Sequence, residues 1–137
     1  MPRLRQLSMA SIIKTWPGFF DQKRVLEVFT HPWADFYFTL GRGKPSQTID
    51  ELYYTHNGRI LGHFKIREIV RNEGQLPKLT SITSETSEWQ IKLGNYVAIC
   101  EPPFHLLEEK LVYTGFRGWR YFAIDEYRGS LDSQVQL

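Results

Sequence analysis

Apolar and polar positions alternate with a period of two over much of this chain, which is the pattern of half-buried strands. The longest such run is Arg59 to Arg71. One face carries Ile60, Gly62, Phe64, Ile66, Glu68 and Val70, and is read as the core face. The other carries Arg59, Leu61, His63, Lys65, Arg67, Ile69 and Arg71, and is read as one basic row. Glu51 to Thr55 is a strand ahead of it, and His56-Asn57-Gly58 joins the two. Asn-Gly between β-prone runs is the strongest short hairpin signal. Gly62 inside a strand marks a bulge or a close backbone approach.

Further strands are predicted at Val25–Thr30, Ile91–Glu101, Leu111–Thr114 and Gly118–Asp125. Pro102-Pro103 is expected to close the second of these. Asp35–Leu40 is aromatic and reads as a strand or a helical turn. Apolar residues at Leu4, Leu7, Met9, Ile12 and Ile13 have helical spacing, so a helical segment is placed within residues 1–20. Asn72 to Ser87 reads as a long polar connection, and residues 130–137 as a frayed polar tail. The sum is one α+β, mainly β domain over residues 1–137, with five to seven strands and one or two flanking helices. Short strands spaced by polar turns suggest a small β-barrel.

Composition narrows the function. Aromatic residues make up 15% of the chain, which is high, while the formal net charge is only +2. A polycationic nucleic-acid coat is therefore excluded. The charge is uneven, however: residues 1–72 hold 11 Lys and Arg against 6 Asp and Glu, and the remainder holds 6 against 9. Cys100 is the one cysteine, so no internal disulfide forms and no paired-cysteine zinc site exists. The four histidines lack metal-ligand spacing, and neither a metal nor another cofactor is expected. No apolar run is long enough for a membrane helix and no signal peptide is evident, so a cytoplasmic protein is expected.

The candidate chemistry lies in a few groups. The row of Arg59, His63, Lys65 and Arg67 suits a phosphate backbone. Gly41-Arg42-Gly43-Lys44 is a basic glycine loop without the spacing of a phosphate-binding P-loop. Trp33 beside it, and Trp119 flanked by Arg117 and Arg120, are the aromatics most suited to stack on bases. Most other rings belong to the core. No nucleophile elbow is present. If the chain is an enzyme, Lys44 is the candidate polarising group, with Tyr53 or Tyr121 assisting proton transfer.

Leu52 to Phe64 resembles the central hairpin of PUA-like domains, above all the ASCH superfamily, and His31-Pro32-Trp33-Ala34 followed by Gly41 to Lys44 resembles an earlier stretch of that family. The family motif is Gly-x-Lys-x-x-Glu-x-Arg. Lys44 takes the Lys place, but Arg42 stands where Gly is usual, Gln47 where Glu is, and Ile49 where Arg is. The resemblance implies a mixed pseudo-barrel with a cleft that binds RNA or reads a modified base. Two other readings remain: an ASCH-type ribonuclease or amide hydrolase using Lys44, and a homo-oligomeric interaction protein that buries its aromatics in an interface.

Overall fold

The computed structural model describes residues 10–15, 27, 35–77 and 91–135. Six strands form one curled mixed sheet, a half-barrel. They are β1 (Ala10–Thr15), β2 (Phe36–Gly41), β3 (Ile49–His56), β4 (Arg59–Arg71), β5 (Tyr96–Leu106) and β6 (Trp119–Phe122), followed by one helix, α1 (Ile124–Val135). The spatial order is β2-β5-β4-β3-β1-β6. Only β1 and β3 pair in parallel; the other neighbours are antiparallel.

The β3–β4 hairpin forms as its Asn-Gly turn predicts. Asn57 and Gly58 both take positive φ, 51° and 77°, which matches the twist of the strands they join. Inside the curl lies the main core, with Ile12, Phe36, Phe38, Leu52, Tyr54, Phe64, Ile66, Ala98 and Cys100. Phe38 meets Tyr54 edge to face at 4.9 Å between ring centres. Two smaller clusters cover the outside. Ile13, Tyr53, Ile60 and Phe122 pack beneath residues 107–116 and α1. Tyr37, Val97 and Ile99 pack with Ile91, and Val70 and Leu76 pack against them.

Several predicted elements are corrected. Residues 10–15, placed in a helical segment, are a strand. Ile12 and Ile13 are both buried, one on each face, because β1 is flanked by β3 and β6 and covered on both sides. Two adjacent buried residues imitate helical spacing. Glu27 has helical backbone, against the strand predicted there, and the rest of Val25–Thr30 lies outside the described residues. β5 begins later than predicted and runs through Pro102-Pro103 to Leu106. The ladder tolerates the prolines because three residues of β5, Pro102 to Phe104, bulge opposite one residue of β4, between the pairs Lys65–Glu101 and His63–His105. Leu111–Thr114 makes a single bridge, Arg59 to Val112, rather than a strand.

The last predicted strand stops at Phe122, and the segment read as a frayed tail is helical to Val135. Ile124 and Tyr127 are three residues apart, so both reach the outer cluster. Asp125 and Glu126 sit in the first turn, where the helix dipole favours acidic groups. Arg128 ties the helix to Glu109 and pairs within the helix with Asp125 at 3.1 Å. Among the described residues no helix is long and apolar enough to cross a membrane.

Candidate functional site

The basic row expected along β4 is not one row. Two irregularities interrupt the alternation. One lies between the pairs Tyr54–Gly62 and Thr55–Ile60, and puts Leu61 into the inner core and Ile60 into the outer cluster. The other lies between Ile66–Cys100 and Glu68–Ile99, and sends Ile69 inward. His63 and Lys65 therefore stay on the outer face. Arg67 stands in the second bulge, bound to Asp35 at 2.6 Å. Arg71 pairs with Tyr96, which packs on the inner core, so the two share the inner face at the end of the curl. Arg59 is at the far end of the strand, half-buried, with an Nε that finds no hydrogen-bond partner.

This reordering builds a different site. β4 extends beyond the start of β3, and the connection from β2 to β3 runs opposite the extension. Between them is a groove of about 800 Å³, lined by residues 44–50 on one side and 65–69 on the other. Lys44, Lys65 and Arg67 are its cations and Asp50 and Glu68 its anions. Next along the same two segments is a cleft of about 430 Å³, lined by Arg42, Arg71, Leu93, Gly94 and Tyr96. Neither guanidinium has an ion pair among the described residues. Lys65, by contrast, faces Glu101 at 3.7 Å.

The cleft is held by Asn72, whose buried side chain donates to the carbonyls of Ile91 (2.9 Å) and Lys92 (3.3 Å) and accepts from the Gly74 amide (3.1 Å). Its backbone joins Gly94 and Asn95. These contacts fix the 91–95 turn, one wall of the cleft, against the end of β4. Gly94 takes φ 90°, and a β-carbon there would lie 3.6 Å from an Arg71 guanidinium nitrogen.

At the sheet's other edge, Trp119 and Tyr121 lie on the inner face of β6, their rings 5.1 Å apart. The Tyr121 hydroxyl accepts from the Ser46 amide at 2.7 Å and pairs with its hydroxyl at 3.1 Å. That bond lowers the Tyr121 pKa from its usual value. Because Ser46 lines the groove, this edge adjoins it. Lys14, only 6% exposed, reaches from β1 to the Thr39 carbonyl on β2.

On the outer face, Glu51 accepts from Ser11 (3.2 Å) and Tyr53 (3.4 Å) and meets the His63 Nε2 at 3.3 Å. Burial, reinforced by the Glu51 charge, pushes Tyr53 up to about 12. Burial pushes His63 down from the usual histidine value; Glu51 opposes this, and His105, stacked at 4.8 Å, adds to it.

The sequence-predicted residues thus separate. Arg42, Lys44, Lys65 and Arg67 come together along the groove and cleft. Of the enzyme candidates, Lys44 is exposed in the groove, Tyr121 is bonded to Ser46 at its margin, and Tyr53 lies apart from both, in the outer cluster. Arg117 is exposed in the turn before β6 and Arg120 stacks 4.1 Å above Phe116 on the outer side; neither lines the groove or cleft. Trp33 lies outside the described residues. Sequence reasoning passed over Tyr96 and Asn72, although the turn signals Asn72-Glu73-Gly74 and Gly94-Asn95 flank them. Among the described residues, no group of three or more acidic, His or Cys side chains is arranged to hold a metal ion. No protein-family model, curated protein or solved structure shows a significant match to this chain.

Proposed function

We propose that this protein binds single-stranded RNA along the lane formed by residues 42–50 and 65–71. The observation that carries the reading is that Lys44, Lys65 and Arg67 line one groove, while Arg42 and Arg71, each two residues further along the groove's two segments, line a second cleft. Spaced cations along a groove follow a phosphate backbone, and tyrosines at its margins offer faces for unstacked bases. Tyr96 and Tyr121 stand at those margins. The resemblance of the 52–64 hairpin to PUA-like and ASCH domains agrees with this reading, as does the curled mixed sheet.

The test is fluorescence anisotropy of a short labelled oligoribonucleotide over a salt series. Arg42, Lys44 and Arg71 have no acidic partner among the described residues, so about three phosphates are neutralised. The slope of log affinity against log salt should be about −2, and Arg42→Ala should flatten it by about 0.7. Absence of binding at low salt would end the proposal, because phosphate contacts are strongest there.

A further inference from the structure

We infer that the Arg42–Arg71 cleft receives the terminal phosphate of the RNA, with the end nucleotide's base against Tyr96. This rests on the RNA reading and specifies what the lane ends on. The first argument is charge. A phosphodiester carries one negative charge, whereas a terminal phosphomonoester carries close to two near neutral pH. The groove's Lys65 and Arg67 are already partnered by Glu101 and Asp35, which suits passing diesters. The cleft instead presents two guanidinium groups with no acidic partner among the described residues, enough to match a dianion. Two planar forks also fit several oxygens of one phosphate better than point charges do.

The second argument is shape. The cleft has about half the volume of the groove and is walled by a turn rather than by two running segments. Arg71 is the last residue of β4, and after it the chain is folded back by the Asn72 hydrogen bonds. The third is the apolar lining. Leu93 is 72% exposed beside two arginines, and the half-buried Tyr96 is part of the same lining. An exposed leucine and a tyrosine ring beside a phosphate site are the surfaces a nucleobase covers. The turn that walls the cleft is held by Asn72, so its backbone needs no ordering on binding.

The experiment is competition against the labelled oligoribonucleotide by three unlabelled RNAs of one sequence: 5′-phosphorylated, 3′-phosphorylated, and hydroxyl at both ends. A nucleoside monophosphate forms the fourth arm. One phosphorylated end should compete at least about tenfold better than the hydroxyl ends. The advantage should vanish in Arg71→Ala and in Arg42→Ala, the latter at an exposed loop position that leaves the core untouched. It should also shrink as pH falls below about 6, where the monoester takes up a proton. Equal competition by all three RNAs overturns the terminal-phosphate site and leaves RNA binding standing. Binding of the monophosphate without any oligoribonucleotide supports the phosphate site and overturns the strand reading. If neither binds, both fall.

Discussion

Gly62→Ala tests whether the close approach of β4 and β5 is a hard constraint of this fold. Gly62 has φ 154°, a conformation rarely taken by residues with a side chain. An alanine β-carbon built there would lie 2.1 Å from the His105 carbonyl oxygen, 2.9 Å from the Phe104 ring and 3.0 Å from the His105 carbonyl carbon. The nearest atom is backbone, so no rotamer change relieves the contact. β5 has to move away at the point where its residues bulge opposite β4. That displacement also carries Phe104, whose ring is 4.9 Å from Phe64 in the core. Backbone strain of this kind costs about 1–3 kcal/mol, and overpacking adds a similar amount. A loss of about 3 kcal/mol is expected, equivalent to a fall of about 10 °C in melting temperature for a chain of this size. Thermal and urea unfolding followed by circular dichroism measure it. Gly43→Ala is the control, because a β-carbon there meets nothing within 4 Å; its effect should stay within about 0.5 kcal/mol. A Gly62→Ala protein melting within about 2 °C of wild type would show that the two strands are not in contact as described.

Asn72→Ala should cost about 2 kcal/mol, because it leaves the Ile91 carbonyl and Gly74 amide without their partner. Under the cleft reading it should also weaken binding of end-phosphorylated RNA while leaving Arg42 and Arg71 in place; an unchanged affinity would show that the turn does not shape the cleft. His63 should make stability depend on pH. Its folded-state pKa lies below the unfolded value of about 6.5, so the unfolded chain takes the proton first as pH falls. The contribution is whole above that value and is lost as pH drops through it toward the lower folded value. Urea unfolding across this range should show the decline in wild type and a flatter profile in His63→Gln; identical profiles would assign the decline to other groups.

The elements legible in the sequence are those set by local chemistry. Asn57-Gly58 specified its turn through two positive φ angles, and Gly62 announced its close contact because only a missing side chain permits one. The mainly β, barrel-like architecture followed from the number and spacing of strands, whereas the mixed pairing was expected only from the resemblance to PUA-like domains. Elements set by distant partners were not legible. β1 became a strand because β3 and β6 hydrogen-bond it from both sides, overriding an apolar spacing that also fits a helix. α1 carries Gly129 and Ser130 and has few apolar residues; Ile124 and Tyr127 define it by packing on Phe122 and Tyr113.

The site was half legible for a related reason. Residue type located Arg42, Lys44, Lys65 and Arg67, but strict alternation placed the β4 cations in one row, and bulges decide their true faces. Without the irregularity at Arg67, Ile69 would face outward, away from the core it packs against. Arg71 would then stand on the outer side with it, away from Tyr96 and the cleft. The extra residue turns both inward and frees Arg67 to reach Asp35. A bulge re-aims side chains at the cost of a ladder hydrogen bond. Here its effect is to carry the last arginine of a long strand from a solvated face to the mouth of the half-barrel. Any change that restored regular pairing between Ile66 and Ile69 would dismantle the cleft without altering one of its lining residues.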